Sequence, residues 1–233
     1  MSTFILIHGS WHGAWCWYKV IPLLKRAGHR VIAPDLPSLG SDKTPISEVS
    51  LPMWAENVGQ VLDAQTEPVI LVGHSRGGIV ISQAAETRPA KVKVLVYLSA
   101  FLLQDGESLS QMAQADTASL VASNLILARD KGYATVREEA IKDAFYGCCD
   151  AEDVALARLL LQPEALAPMG TPIRITEENF WRIPRVYIEC LRDKASVRRY
   201  RSKCISRCRV RGSYPWTLTT RHSSLRQRSW WPV

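Results

Sequence analysis

The sequence predicts an α/β fold built on a mostly parallel sheet. Short, wholly apolar runs recur along the chain, stretches with apolar residues at helical spacing fall between them, and Gly or Pro marks the changes of pattern. The first run, TFILIH at 3–8, reads as a buried strand ending in His-Gly. WYKVIPLLKRAG follows with helical spacing and a stop at Gly28. HRVIAPDLP is a second strand, broken by Pro34 and Pro37. In SLPMWAENVGQVLDAQ, Ser50 is the N-cap and Pro52 lies in the first turn of a helix. EPVILVGHS is a third strand, GGIVISQAAETRP a helix stopped by Pro89, and VKVLVYLSAF a fourth strand.

The pattern changes after Gln104. ESLSQMAQADTASLVASNLI, VREEAIKDAFYG and AEDVALARLLLQPEAL read as helices with no strand between them, so 105–181 is expected to be an all-helical cap. IPRVYIECLRD resumes the strand pattern. The core is therefore expected to comprise 1–104 and 182–194, and 195–233 to be an aberrant basic tail in place of the last core strand and helix.

Composition narrows the function classes. The chain has 233 residues, 47% hydrophobic and 22% charged, an ordinary globular mix. It has no apolar run of the roughly 20 residues that a membrane span needs, and MSTFILIHGS lacks the basic start of a secretory signal. A cytoplasmic location is expected, with the six cysteines as free thiols and no metal site. The net charge of +7 belongs to the tail: from Ala195 onward there are nine arginines, one lysine and no acid, leaving 19 basic against 22 acidic residues elsewhere. The body therefore resembles a small-molecule enzyme rather than a nucleic-acid binder. Neither nucleic acid nor membrane is expected as a partner; a second copy of the chain is left open.

The sharpest chemical signal is Gly73-His74-Ser75-Arg76-Gly77, a G-x-S-x-G turn between a strand and a helix. Such a turn strains the serine backbone, which demands small neighbours, and presents its hydroxyl at a helix N-terminus where negative charge is stabilised. Ser75 is the candidate nucleophile. The backbone N–H of Arg76 is one candidate oxyanion donor, and the N–H of Ser10, in the Gly-rich loop IHGSWHGAWCW, is the other. His8, His12 and His74 are expected in structural hydrogen bonds or packing, and Trp15 and Trp17 in the core.

A serine nucleophile needs a base and an acid to orient it. Asp193 stands just beyond the late strand, where a loop carboxylate can reach over the sheet edge. Asp35 lies earlier and reads as a turn residue. His222 is the one histidine beyond His74, and so the candidate base.

Three stretches, FILIHGSWHGAWCWYKVIPLLKRAGHRVIAPDLP, ILVGHSRGG and VYIECLRDKA, resemble the α/β-hydrolases grouped with plant methylesterases, hydroxynitrile lyases and bacterial carboxylesterases. The resemblance is strong over 3–100 and 180–195 and weaker over the cap. It implies a Ser75–Asp193–His222 triad, oxyanion donors at Ser10 and Arg76, a helical cap over an apolar pocket, small apolar esters as substrates and no cofactor. The lyase branch carries a hydroxyl residue where this chain has Gly9, and a lysine that has no counterpart here. Hydrolysis is the favoured expectation; a lyase or a non-catalytic small-molecule binder is the alternative.

Past Ala195 the resemblance breaks. The family carries a segment like Leu-Asp-Thr-Asp-His-Ser-Pro-Phe-Phe, whose histidine is the base, where this chain reads PWTLTTRHSSLRQRSWWPV. Displaced by one reading frame, codons permitted by this peptide spell the family segment. The Trp216 codon followed by that of Thr217 forces an aspartate triplet, and the family histidine is then spelled upstream of His222. The tail is therefore read as frame-shifted.

Overall fold

The computed structural model describes residues 1–114, 116 and 118–195 and the backbone of 213–216. Six strands form one sheet in which every pairing is parallel, in the order β2-β1-β3-β4-β8-β9. These are β1 (Thr3–Ile7), β2 (Arg30–Ile32), β3 (Val69–His74), β4 (Val92–Leu98), β8 (Arg185–Cys190) and β9 (Ser213–Trp216). A strand buried on both faces should be apolar throughout, and Ile5, Leu6 and Ile7 of β1 are all buried.

Alternate residues supply the two faces. Ile5, Ile7 and Leu71 pack into the large cluster with α2 (Leu51–Asp63) and α3 (Gly77–Thr87). Leu6 and Val72 pack with Trp17 against Val20, Ile21 and Leu24 of α1 (Val20–Arg26). The Ser50 hydroxyl accepts from the Met53 N–H at 3.3 Å and caps α2, whose buried stripe is Leu51, Trp54, Ala55, Val58 and Leu62. Gly28, at φ +82°, ends α1 as expected. The chain runs outward from β1 to β2, then returns to the other side of β1 at β3. The C-terminal ends of β1 and β3 thus flank a topological switch point, where open α/β sheets form their crevices.

Two expectations are corrected. The insertion between β4 and β8 is not all-helical. It holds α4 (Leu109–Gln114), α5 (Leu120–Ser123), α6 (Ile141–Phe145), α7 (Ala151–Leu160) and α8 (Leu166–Gly170). It also holds an antiparallel sheet of β5 (Leu125–Ala128), β6 (Tyr133–Val136) and β7 (Glu164–Ala165). The reason is the turn Arg129-Asp130-Lys131-Gly132: Gly132 takes φ +73° and folds two short apolar runs into a hairpin. In addition, the last core strand is not missing. β9 pairs with β8 from Tyr187↔Ser213 to Cys190↔Trp216. Pro215 fits because β9 lies at the end of the sheet order, the position at which a strand tolerates a residue with no N–H. Among the described residues, no helix is long and apolar enough to cross a membrane.

Candidate active site

Ser75 sits between β3 and α3 with φ +52°, a left-handed conformation that a serine adopts only under constraint. Its N–H donates to the Leu98 carbonyl and its carbonyl accepts from the Gly78 and Phe101 N–H groups. The tight turn explains the glycines. A Cβ on Gly73 would lie 2.8 Å from the Gly77 carbonyl oxygen, one on Gly77 2.8 Å from that of Ile7, and one on Gly78 2.3 Å from that of Phe101. Such contacts do not occur between real atoms, so the strand can turn into the helix here only without side chains.

The loop after β1 meets this turn. A Cβ built on Gly9 would stand 3.1 Å from both the Ser75 Cβ and the His74 Nδ1. The loop's peptide planes are gripped one by one. His8 Nδ1 donates to the Gly9 carbonyl at 2.9 Å, and Arg76 Nη2 donates to the same oxygen at 3.0 Å. His12 Nδ1 donates to the Ser10 carbonyl at 2.7 Å. The far nitrogens of both rings accept, from the Leu36 N–H for His8 and from the Tyr146 hydroxyl for His12. Both histidines are buried and neutral: burial pushes the His8 pKa down to about 3 and that of His12 to about 4. Their structural role matches expectation. So does the packing of Trp17 in the core, and Trp15 stacks on His12. Burial also lowers His74, to about 4, although this ring is only half-buried, edge-on to Trp17.

Arg76 is expected to matter mainly through its backbone N–H. Its side chain proves fully buried, with Nε 2.8 Å from Oε1 of an equally buried Glu164 and its guanidinium over the Trp54 ring at 4.1 Å. Burial drives the Glu164 carboxyl up against the opposing pull of Arg76, the Trp11 N–H and the Ser10 hydroxyl. Glu164 was missed because it belongs to the cap, far away in sequence. The available signal was an arginine inside an apolar elbow, which requires a buried carboxylate somewhere.

Asp193 lies beyond β8, half-buried, at the C-terminal edge of the sheet. Its N–H donates to the Cys190 carbonyl, and its Oδ1 accepts from the Ala195 N–H at 2.8 Å. The Ser99 hydroxyl accepts from the Cys190 N–H and ties the ends of β4 and β8 together. Only β4 separates β3 from β8, so the two strands lie two strand spacings, about 10 Å, apart, with Ser75 following one and Asp193 the other. Asp35 is a turn residue, as expected: its carboxylate accepts from the Ala14 and Ser41 N–H groups and the Ser41 hydroxyl. His222 lies outside the described residues, so the geometry brings together Ser75, Ser10, Arg76 and, across one strand, Asp193. A cavity of about 200 Å³ opens elsewhere, lined by Trp11, Ile141, Phe145 and Gln162 among others but not by Ser75. Among the described residues, no group of three or more His, Cys, Asp or Glu is placed to hold a metal.

The chain is similar to known proteins over most of its length. The alpha/beta hydrolase family matches residues 4–223. Methylesterase 1 of Arabidopsis thaliana is 34% identical over 206 residues, covering 82% of this chain and 78% of its own. An alpha-hydroxynitrile lyase of Arabidopsis thaliana is 34% identical over 217 residues, covering 82% and 79%. The crystal structure of polyneuridine aldehyde esterase superposes with a TM-score of 0.83 at 26% identity, over 93% of this chain and 90% of that one.

Proposed function

The chain belongs to the alpha/beta hydrolase family, and from that membership we propose that it is a carboxylic ester hydrolase acting through Ser75 on small, fairly apolar esters. The observation that carries the reading is the left-handed Ser75 at the head of α3, in contact range of the Gly9–Ser10 loop. In this reading His222 takes the Ser75 proton, Ser75 Oγ attacks the ester carbonyl, and the N–H groups of Ser10 and Arg76 receive the oxyanion. The alcohol leaves with the proton, water repeats the attack on the acyl-serine, and Asp193 orients the base. His222 is assigned by elimination. His8 and His12 are committed to loop carbonyls, His74 precedes the nucleophile within the elbow, and His29 packs on Phe4 just before β2, at the opposite end of the sheet.

The crowding at Gly9 favours hydrolysis over the lyase alternative. The hydroxyl side chain that the lyase branch carries there would press on Ser75 and His74. We also read the segment after Ala195 as translated out of frame, which makes His222 a substitute for the family's own histidine. Sequencing the gene across this region tests that point. An intact frame giving this same peptide in close relatives would remove it.

Steady-state hydrolysis of p-nitrophenyl butyrate tests the function. Turnover by the full chain should fall at least ~1,000-fold in Ser75→Ala, and comparably in Asp193→Ala. Turnover that survives Ser75→Ala would end the serine-hydrolase reading. Tight binding of an ester without turnover by the unaltered chain would favour a binder instead.

A further inference from the structure

We infer that Glu164, carried by the cap, is a positioning residue that sets the oxyanion loop through Trp11 and Arg76. The inference rests on the ester-hydrolase reading of the site.

Trp11 is the most constrained residue of the loop. Its φ of +62° is one that a bulky side chain avoids, yet it is buried. Cap residues hold every polar group it has. Its N–H donates to Glu164 Oε2 at 2.8 Å, and its carbonyl accepts from the Gln162 N–H at 3.0 Å. Its indole N–H donates to the Ala134 carbonyl at 3.0 Å, and the ring packs on Phe145. A strained backbone persists only when its surroundings over-determine it, and here these surroundings are the cap.

The second grip runs through Arg76. A trans peptide holds C=O and N–H in one plane, pointing in opposite directions, so fixing the Gly9 carbonyl fixes the direction of the Ser10 N–H. Arg76 Nη2 and His8 Nδ1 fix that carbonyl. By the same rule, His12 on the Ser10 carbonyl and Glu164 on the Trp11 N–H clamp the next plane from its two sides. Glu164 therefore meets the loop twice, directly at Trp11 and through the 2.8 Å ion pair that holds the Arg76 guanidinium against Gly9. This links cap and oxyanion geometry without either passing through the substrate.

Two variants test the inference. Glu164→Gln keeps the shape and an acceptor for the Trp11 N–H, but leaves Arg76 buried without its counter-charge and could fail to fold. The paired variant Arg76→Met/Glu164→Leu replaces both charges with apolar groups of similar size, an exchange that buried ion pairs tolerate. Hydrogen exchange should quicken at least about tenfold in peptides spanning residues 8–13 of the paired variant, with peptides of β4 unchanged. Its kcat on p-nitrophenyl butyrate should fall ~30- to 100-fold, short of losing an oxyanion donor outright, with KM within about threefold. Glu164→Gln, where folded, should show a smaller change in both readouts.

Unchanged exchange over residues 8–13 would overturn the inference, as would faster exchange with an unchanged kcat. If the unaltered chain hydrolyses nothing, it is the ester-hydrolase reading that fails. The exchange comparison still decides whether Glu164 holds the loop.

Discussion

Two histidines show how strongly this site depends on single protons. His8 and His12 each use one ring nitrogen as donor and the other as acceptor, so protonation destroys the bond from Leu36 or from Tyr146. Burial holds their folded pKa values at about 3 and about 4, below the 6.5 of an exposed histidine. Between pH 6.5 and about 4 the unfolded chain therefore binds protons that the folded chain refuses. The stability these groups give is complete above pH 6.5 and drains away as the pH falls. His74, lowered to about 4 as well, adds a third proton, and three protons correspond to roughly 4 kcal/mol per pH unit near pH 5. Urea unfolding from pH 7 to pH 4.5 should show that slope, and His12→Gln should flatten it. Glycine supplies a steric counterpart. Gly78→Ala should destabilise by at least ~2 kcal/mol, because the new methyl would lie 2.3 Å from a backbone oxygen that the elbow cannot move.

Among the elements, the strands and helices of the core are legible in the sequence because their signals are local. Ser50 announces α2 by its capping chemistry, and removing it should cost about 1 kcal/mol of stability in denaturant unfolding of Ser50→Ala. The G-x-S-x-G turn is legible because its steric demands fall on neighbouring residues. The β5–β6 hairpin was hidden for a different reason: each strand has only four residues, too few for a period of two to stand out against helical spacing. Gly132 was the usable sign. Nothing lies within 4 Å of a Cβ there, so Gly132→Ala should cost only the backbone strain at φ +73°, ~1 kcal/mol. The Arg76–Glu164 pair could not be found by any local reading, since its partners stand on β7 and at the head of α3.

At the scale of the molecule, parallel pairing brings the ends of β1, β3 and β8 to one edge, and the elbow, the Ser10 loop and Asp193 follow from that topology. The sequence order of strand, loop and acid conveys this without any contact being known. What it does not convey is the fit of the cap, which grips the site through Glu164, Gln162 and Ala134. The tail adds a separate consequence. All of the net positive charge lies after Ala195, the region read as out of frame. Restoring the displaced frame at that point should raise kcat at least about tenfold by returning the family histidine, and equal rates in the two proteins would contradict this. The central claim, that Ser75 is an activated nucleophile, is tested most directly by treating the full chain with a fluorophosphonate and mapping the adduct by peptide mass spectrometry. The account predicts one phosphonyl group, on Ser75, absent in Ser75→Ala. An unmodified Ser75, or an adduct that persists on another residue in Ser75→Ala, would contradict it.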